Sequence, residues 1–506
     1  MSGMKTAQNL QLENDKLRAE IQQKNTQLDF KDTQLAQNKT RILNLESALI
    51  ELKKYRFGSS SEKQKNNRDQ LPLFNEAEFV EDSKKTPKAK KQKKKTGNRK
   101  DLPKDLERMN KTHDIKDDQK TCPHDQTPLK LIGQVITEQL HFVPATIKVI
   151  EHRQNKYVCP CCNKYIVTAK KPKEIIPKSI ATPELLAYIS ISKYADGLPL
   201  YRLSNMFKRL KINISRANMS NWILKCGTAV QPLVNLIQDE LYKQDCIHID
   251  ETTLQVLKEP GKKAQTKSYM WVQRAGNNII FNYNPSRSAN VVDGLLQDYK
   301  GAIMTDGYLA YDAMAKKHKI THLGCWAHAR RYFIKVTDQG ENKAASQMIE
   351  LIGKLYAVEK QPKELTFDKI YQMRQSRSKQ ILQDIKELLD KILHSTAPSG
   401  TMGKALTYLH NQWPKLIAYT EDGNYPIDNN AAENAIRPFV IGRKNWLFAN
   451  SQNGAKASAN LYSIIETAKA HGINPQEYLT HIYRELPKAQ SVEDYEKLLP
   501  SNFQSV

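Results

Sequence analysis

A seven-residue repeat of apolar positions runs through residues 8–54. One seam of the repeat is apolar at Ile21, Leu28, Leu35, Ile42 and Leu49. The companion seam is apolar at its two ends and polar in its middle, at Leu10, Leu17, Lys24, Lys31, Asn38, Leu45 and Leu52. Two such seams favour a self-associating coiled coil. The alternative is one amphipathic helix that packs on its own protein, although the repeat is longer than a surface helix needs.

From residue 245 the apolar pattern changes to short strands. The elements predicted there are strands at Cys246–Asp250, Thr253–Leu257, Tyr269–Arg274 and Ile279–Tyr283, a helix at Ala289–Tyr299, a strand ending at Asp306, a helix at Leu309–Lys317 and a strand at Thr321–Cys325. Hairpin strands followed by strand–helix alternation indicate a mixed sheet of the ribonuclease H type. In that arrangement Asp250 leaves the first strand and Asp306 leaves the fourth, which lies beside the first. The two carboxylates would then converge at one end of adjacent strands.

A third carboxylate, Glu433, lies far downstream on a predicted helix. Residues 341–395 have a helical composition and are interpreted as an insertion before it. Asp428 is predicted to cap the helix and Pro438 to end it. Two acids at strand ends and one on a helix suit a site for two divalent metals that promotes attack on a phosphodiester. The alternative is that these acids only cap loops. Glu251, on the opposite face of its strand, is not expected to bind the metals.

Residues 180–240 are predicted to be helical and to contain a helix-turn-helix. Apolar residues recur at helical spacing over Leu198–Leu210, a turn follows, and Ser215 has the chemistry of an N-cap. In the second helix Met219, Trp222 and Ile223 are predicted to face inward. The residues predicted to face a DNA groove are Arg216, Asn218, Ser220 and Asn221. A plain helical hairpin has similar spacing and is the alternative.

A small cysteine-containing module is predicted at residues 121–170. Cys159 and Cys162 form a Cys-x-x-Cys pair, while Asp125 stands where a pair with Cys122 would place cysteine. Structural zinc takes four Cys, His or Asp ligands. The candidate set is therefore Cys122, Cys159 and Cys162 with either Asp125 or His124. The alternative is a degenerate ribbon that folds without metal and buries its cysteines as small apolar residues.

The net charge of the chain indicates what kind of partner it binds. The chain has a formal net charge of +24, and residues 84–100 contain ten Lys or Arg and no acid. Subtracting those ten charges still leaves +14. A positive charge spread this widely indicates a polyanion, with nucleic acid the leading candidate. We predict that residues 55–120 are a flexible basic linker, whose lysines either contact phosphate without base specificity or form a solvated tether.

Four segments in this order resemble the DDE transposases of bacterial insertion-sequence family sixty-six. They are His248-Ile249-Asp250-Glu251-Thr252, Asp306-Gly307-Tyr308, Gly324-Cys325-Trp326-Ala327-His328-Ala329-Arg330-Arg331 and Asp428-Asn429-Asn430-Ala431-Ala432-Glu433-Asn434-Ala435-Ile436-Arg437-Pro438. Gly442-Arg443-Lys444-Asn445-Trp446-Leu447-Phe448 fits the same family, as do the zipper, the cysteine module and the helix-turn-helix. The resemblance covers nearly the whole chain, and Asp125 departs from the family's two cysteine pairs.

The resemblance implies a transposase that binds the ends of its insertion sequence and cleaves and joins DNA. Asp250, Asp306 and Glu433 match the family's acidic triad, and Mg²⁺ or Mn²⁺ is the implied cofactor, beside one structural Zn²⁺. The implied partners are terminal-repeat and target DNA, a second copy through the coiled coil, and accessory proteins of the same element. The alternatives are a nuclease or resolvase without strand joining and a DNA-binding regulator.

Several motif residues have both a functional and a structural interpretation. Phosphate contact is predicted for some of Arg330, Arg331, Arg437, Arg443 and Lys444, with ion pairs to helix acids as the alternative. Trp446 is interpreted either as a base-stacking or as a core residue. Cys325 and Trp326 are predicted to be core, while His328 orients DNA or a neighbouring carboxylate.

The predicted fold class is multidomain α+β, with a ribonuclease H-like core at 245–450 and a helical insertion at about 335–420. A C-terminal helical region is expected at 451–506. The chain has no predicted secretory signal and no run of 18 apolar residues. The expected location is therefore the bacterial cytoplasm, near the nucleoid.

Overall fold

A computed structural model describes residues 16–35, 38, 41–42, 147–158, 166–296, 299–360 and 365–503. Residues 16–35 are helical, and the seam residues Leu17, Ile21, Leu28 and Leu35 are exposed. Described residues 147–158 and 166–171 belong to a smaller compact unit, whereas the described residues before Ser60 and from Pro172 onward belong to a larger one. In that smaller unit, strands β1 (Lys156–Val158) and β2 (Ile166–Thr168) form an antiparallel pair.

The part of the larger unit that starts at Pro172 opens with four helices. They are α1 (Pro183–Tyr194), α2 (Leu200–Arg209), α3 (Arg216–Ala229) and α4 (Gln231–Tyr242). Ser215 caps α3, because its side chain accepts a hydrogen bond from the Asn218 amide. Met219, Trp222 and Ile223 are buried on the inner face of α3. The predicted succession of helix, turn and capped helix is confirmed as secondary structure.

A mixed six-stranded sheet forms the centre of this unit. Its strands are β3 (Cys246–Lys258), β4 (Lys267–Ala275), β5 (Asn278–Asn284), β6 (Ala302–Thr305), β7 (Thr321–Gly324) and β8 (Ala449–Ser451). The order is β5-β4-β3-β6-β7, and β8 pairs with the far end of β3. The β3–β4 and β4–β5 pairs are antiparallel, whereas β3–β6 and β6–β7 are parallel.

One long strand replaces two of the predicted short ones. The prediction of separate strands at Cys246–Asp250 and Thr253–Leu257 is wrong, because β3 is continuous. The residues between them pair without interruption with β4, Glu251 opposite Trp271 and Thr252 opposite Met270. Neither Glu251 nor Thr252 is a turn residue, so nothing in the backbone breaks the ladder.

The remaining helices surround the sheet or extend from it. They are α5 (Ala289–Leu295), α6 (Leu309–His318), α7 (Trp326–Thr337), α8 (Lys343–Glu359), α9 (Phe367–Met373), α10 (Lys379–Leu393), α11 (Thr401–Ile417), α12 (Asn430–Trp446), α13 (Gln452–Ala470), α14 (Pro475–Glu485) and α15 (Val492–Glu496). A short π-helix at Arg374–Ser378 joins α9 to α10. Short 3₁₀ turns follow at Ala418–Glu421, Leu486–Lys488 and Pro500–Asn502.

Two helix ends differ from the sequence prediction. Helix α12 continues through Pro438 to Trp446, so the prediction that Pro438 ends it is wrong. The buried apolar face of α12, which includes Ala435, Ile436 and Phe439, holds the helix on the sheet across the missing amide hydrogen bond. Helix α5 ends at Leu295 instead of Tyr299.

The free edge of β5 is covered by helix α13. The Phe281 amide donates to Ser463 Oγ at 2.8 Å, and the Ile279 amide donates to Thr467 Oγ1 at 3.1 Å. Thr467 in turn donates to the Ile279 carbonyl at 2.9 Å. Hydroxyl groups on a helix thus replace the missing neighbouring strand and keep this edge from pairing with another chain.

The structure is of the mixed α/β kind, with two main apolar cores. One lies between the sheet and helices α1–α4 and α12–α14, and the other among α7, α8, α10 and α11. The helices α8 to α11 fill the range that the sequence predicted to be helical. Among the described residues, no helix is both long and apolar enough to cross a membrane.

A partly buried lysine predicts a pH effect on stability. Lys193 Nζ lies 5.2 Å from the ring centres of Tyr194 and Trp446, and burial lowers the pKa of Lys193 to about 8. In the unfolded chain the pKa of this lysine is near 10.5. Between pH 8 and pH 10.5 the unfolded state therefore binds more protons than the folded state. The contribution of Lys193 to the free energy of unfolding consequently rises with pH over this range. Lys193→Met should therefore stabilise the fold at pH 7 by about 1–2 kcal/mol, after allowance for partial exposure and lost cation–π contact.

Thermal melting at pH 7 and pH 10 measures this effect. The gain in melting temperature of Lys193→Met should shrink at pH 10, while the exposed control Lys225→Met should show no pH-dependent difference. An equal gain at both pH values would contradict a desolvated Lys193 that is charged at pH 7 and neutral at pH 10.

Candidate active site

The sheet register places Asp250 and Asp306 at the same level. Strands β3 and β6 are parallel, and His248 opposite Met304 is the last residue pair of their ladder. Asp250 lies two residues beyond His248, and Asp306 lies two residues beyond Met304. Because side chains alternate along a strand, both aspartates stand on the same face as that pair. The predicted adjacency of the two strands is confirmed, and Asp250 and Asp306 interact electrostatically.

Glu433 reaches this edge from the first turn of α12. Its amide donates to the Asn429 carbonyl at 3.1 Å, and Asn429 is the N-cap position in place of the predicted Asp428. Asp428 still contributes, because its Oδ1 accepts from the Asn430 amide at 3.1 Å. The helix therefore begins one residue later than predicted and carries Glu433 toward the two strand-end aspartates.

The three acids interact electrostatically. Burial first, and then repulsion from Glu251, Asp306 and Glu433, together raise the pKa of Asp250 to about 8, although a hydrogen bond from the Glu251 amide opposes them. That amide donates to Asp250 Oδ1 at 2.8 Å. A carboxyl group with so high a pKa is poorly compensated in the protein alone. Such crowding of carboxylates is the electrostatic setting that a multivalent cation relieves.

Around Asp306 lies a network that the sequence did not predict. Arg287 lies 3.8 Å from Asp306 Oδ2, forms a short ion pair with Glu251 and stacks 3.9 Å from the Tyr308 ring centre. Glu251 is nearly fully buried and also accepts from the Tyr311 hydroxyl at 2.6 Å. Glu251 thus supports the site through Arg287 and is not an isolated residue on the far face. The only sequence signal was its position next to Asp250.

The loop after β6 holds Asp306 in place. Asp306 Oδ1 accepts from the Tyr308 amide at 3.0 Å, which closes a turn around Gly307. A Cβ atom at Gly307 would lie 2.9 Å from Tyr408 Cε2, on helix α11. Glycine at this position therefore lets α11 approach the loop that carries Asp306.

Glu433 is paired with residues of helix α7. Arg331 forms a short ion pair with Glu433 Oε1, and His328 Nδ1 lies 3.5 Å from the same oxygen. Sγ of the buried Cys325 belongs to the same group, in which the ligand atoms of Cys325, His328 and Glu433 all lie within 4.8 Å of one another. Cys and His donors suit zinc, whereas Asp250, Asp306 and Glu433 together offer only the oxygen ligands that Mg²⁺ and Mn²⁺ prefer.

The predicted groove-facing residues lie on α3, away from the acids in sequence. Arg216, Asn218 and Asn221 are exposed, and Ser220 is half-buried. Beside the start of α3 is an open groove of about 340 Å³. Its lining is polar and basic and consists of Tyr201, Ser204, Asn205, Lys208, Asn213, Ser215 and Arg216.

The other predicted phosphate contacts differ in their surroundings. Arg443 donates to Thr252 Oγ1 at 3.0 Å and to the Thr253 carbonyl, so its guanidinium ties α12 to β3. Lys444 is exposed, and Arg330 and Arg437 are half-buried. Trp446 packs edge-on against Phe439, with 5.5 Å between ring centres, which supports the core interpretation. The zinc candidates Cys122, His124, Asp125, Cys159 and Cys162 lie outside the described residues.

Comparison with known families shows that the chain is of the transposase class. The model "Transposase IS66 family" matches residues 178–457, more than half of the chain. The chain belongs to this family. Three further models match other segments: "zinc-finger binding domain of transposase IS66" at 119–163, "IS66 C-terminal element" at 463–501 and "Transposase C of IS166 homeodomain" at 44–110.

Two relatives from Sinorhizobium fredii (strain NBRC 101917 / NGR234) are similar over most of their length. Uncharacterized protein y4qI is 31% identical over 389 residues, which cover 74% of this chain and 72% of the relative. Uncharacterized protein y4jD is 26% identical over 420 residues, which cover 80% and 82% respectively. The resemblance of the sequence to family sixty-six is thereby confirmed, and the family domains support a transposase role.

Proposed function

We propose that this protein binds the ends of its insertion sequence and catalyses metal-dependent DNA cleavage and strand transfer. The observation that carries the proposal is the placement of Asp250, Asp306 and Glu433 at one edge of the sheet, with electrostatic repulsion among them. Asp250 and Asp306 come from adjacent parallel strands, and Glu433 comes from a helix that begins beside them.

The proposed core is ribonuclease H-like. Support comes from three antiparallel strands, β3 to β5, followed by β6 and β7 added in parallel on the other side of β3. Helices α8 to α11 lie between the second and third acids and are the proposed insertion. The proposed domain bounds remain those predicted from the sequence, 245–450 for the core and about 335–420 for the insertion.

Asp250, Asp306 and Glu433 are the proposed ligands of Mg²⁺ or Mn²⁺. Their fit is supported by the all-oxygen donor set and by the pKa of Asp250, which burial and neighbouring carboxylates raise to about 8. When bound, such cations lower the pKa of an attacking water or 3′-hydroxyl and stabilise the departing 3′-oxygen. Asp250 must lose its proton before it can act as a ligand, so the protein itself sets a pH requirement for loading.

Arginines at the site are proposed to bind the DNA backbone. Arg331 forms an ion pair with Glu433, and its guanidinium is the proposed partner of the scissile phosphate. Arg287 likewise forms an ion pair with Glu251 and lies 3.8 Å from Asp306 Oδ2. The N–H donors of a guanidinium group match a phosphate as well as a carboxylate. The arginine can therefore exchange its carboxylate partner for a phosphate while it stays in the site, and this contact would orient the strand to be cut. Arg330, Arg437, Arg443 and Lys444 remain proposed phosphate contacts.

End recognition is assigned to the helix-turn-helix formed by α2 and α3. The exposed Arg216, Asn218 and Asn221 with half-buried Ser220 stand on one helix, and the basic groove of about 340 Å³ lies next to its capped start. A recognition helix uses its N-terminal residues for base edges, while neighbouring basic residues contact phosphate.

The experiment that tests this function uses labelled ends of the element that carries the gene. The purified full-length protein is incubated with these ends, target DNA and Mg²⁺, and the products are resolved on a denaturing gel. Strand transfer into the target supports the transposase. Cleavage without joining favours the nuclease alternative, and binding without cleavage favours a regulator. In either of those cases the proposed function is wrong.

Self-association is proposed to occur through the N-terminal repeat. In the single chain, Leu17, Ile21, Leu28 and Leu35 are 52%, 58%, 56% and 66% exposed along one helix. Burying such a seam against a second copy is the main driving force of coiled-coil formation. One structural Zn²⁺ in the cysteine module is proposed on the strength of the zinc-finger family match.

Light scattering tests the oligomer. Deletion of residues 1–55 should reduce the particle mass to that of a smaller assembly, because the apolar seams are removed. Leu28→Lys should weaken association by placing a charge on the seam, whereas Gln23→Lys on the outer face of the preceding heptad should not. An unchanged mass after the deletion would show that other surfaces hold the copies together.

A further inference from the structure

Asn429 is a nearly fully buried polar residue whose side chain is not used to cap its own helix. It occupies the N-cap position of α12 and is 1% exposed, yet its side chain makes no hydrogen bond to the first amides of α12. At an ordinary N-cap, an asparagine side chain accepts from the second or third amide of the helix. Here the Asn429 side chain is bonded to strand β3 instead.

The amide group of Asn429 is bonded to strand β3 immediately before Asp250. Its Nδ2 donates to the Ile249 carbonyl at 2.9 Å, and its Oδ1 lies 3.1 Å from His248 Nδ1. The backbone amide of Asn429 also donates to Cys325 Sγ at 3.2 Å, at the start of α7. One residue thus joins the beginning of α12 to β3 and to α7.

The donor and acceptor roles in these hydrogen bonds follow from one another. The Ile249 carbonyl can only accept, so the Asn429 Nδ2 group must face it and Oδ1 must face His248. Oδ1 can only accept, so His248 must carry its proton on Nδ1. His248 is half-buried, and in its neutral ring this bond leaves the other nitrogen, Nε2, as the acceptor.

We infer that Asn429 is a positioning residue that sets the place of Glu433 relative to Asp250. Asp250 follows directly after the Ile249 carbonyl that receives the Asn429 bond. Glu433 lies one helical turn after Asn429, and its amide is bonded to the Asn429 carbonyl. The path from one acid to the other is therefore a short chain of buried hydrogen bonds. This inference rests on the proposed function of the three acids as a metal site.

The test compares Asn429→Ala with the adjacent control Asn430→Ala in the full-length protein. Three quantities are measured: melting temperature, Mn²⁺ affinity by calorimetry, and the Mg²⁺ concentration for half-maximal cleavage of labelled element ends. Binding at the acids is identified as the Mn²⁺ binding that is lost in Asp306→Asn. Outer partners of metal ligands typically contribute 10–100-fold to affinity or activity, so Asn429→Ala should weaken Mn²⁺ binding and raise the Mg²⁺ requirement by about tenfold or more. Asn430→Ala should change both by less than about twofold.

Each outcome decides the matter. If Asn429→Ala binds Mn²⁺ and cleaves with wild-type metal dependence, the positioning role is wrong and the proposed function stands. If its loss of affinity is matched by melting below the assay temperature, Asn429 serves the fold alone and the inference is also wrong. Should the wild-type protein neither bind Mn²⁺ in an Asp306-dependent way nor cleave, both the proposed function and this inference fall. If Mn²⁺ binding weakens in Asn429→Ala but the wild-type protein does not cut DNA, the positioning role is supported and the proposed reaction is wrong.

Discussion

Asp306→Asn should abolish DNA cleavage while leaving binding to the element ends intact. The change removes one negative charge from the edge where Asp250 and Glu433 also lie, and with it one proposed ligand of the divalent cations. Metal stabilisation of a phosphodiester transition state amounts to several kcal/mol, so the rate should fall by about a thousandfold or more. Cleavage of labelled ends with Mg²⁺ measures the rate, and gel shift of the same ends measures binding.

The structure makes this substitution a clean test of chemistry. Asp306 Oδ1 accepts from the Tyr308 amide at 3.0 Å, and the carbonyl oxygen of asparagine can accept the same bond. The fold of the loop should therefore persist, with a melting temperature close to that of the wild type. Asp293→Asn is the matched control, because Asp293 lies on helix α5 and pairs with Lys317 at 2.7 Å. Cleavage by Asp306→Asn at the rate of this control would remove Asp306 from the metal site.

Trp326→Ala should cause the largest loss of stability among the motif residues. Trp326 is fully buried in the core formed by α7, α8, α10 and α11, and its Nε1 donates to the Leu416 carbonyl at 2.7 Å. Truncation of a buried tryptophan to alanine typically costs 3–5 kcal/mol, and here the Leu416 carbonyl also loses its partner. Hydrogen exchange followed by mass spectrometry should show the first loss of protection in helices α8 to α11.

A graded control separates packing from hydrogen bonding. Trp326→Phe keeps most of the apolar volume and removes the bond to Leu416, so it should cost only about 1–2 kcal/mol. Trp413→Phe changes the partly exposed tryptophan that contacts Trp326 edge-on, with 6.2 Å between ring centres, and should cost less. Equal protection of α8 to α11 in Trp326→Ala and the wild type would show that this core does not depend on the tryptophan.

Local patterns in the sequence were enough to predict most elements and the candidate acids. The N-cap chemistry of Ser215 and the buried spacing of Met219, Trp222 and Ile223 predicted α3. The apolar runs that end in Asp250 and Asp306 predicted two strands, and their pairing followed from the order of elements along the chain. Glu433 was found through the segment around it and not through its own spacing, since one glutamate on a helix has no distinctive pattern.

Local patterns failed where long-range packing overrides residue preference. Pro438 lacks an amide hydrogen and predicts a helix end, but the buried face of α12 on the sheet carries the helix through it. Strand β3 was predicted in two pieces because the polar Glu251 and Thr252 interrupt its apolar pattern. Both residues pair with β4, and Glu251 finds Arg287 and Tyr311 from distant parts of the chain.

By itself, then, the sequence determined the kinds of elements, their order, the positive charge and the identity of the three acids, because each depends on neighbouring residues or on composition. Tertiary structure alone decided what surrounds those acids. Arg287 lies 36 residues from Glu251, Arg331 lies 102 residues from Glu433, and Asn429 lies 180 residues from Ile249. Contacts over such separations leave no periodic trace in the chain, because they form only when the sheet and helix α12 pack together and water is excluded between them.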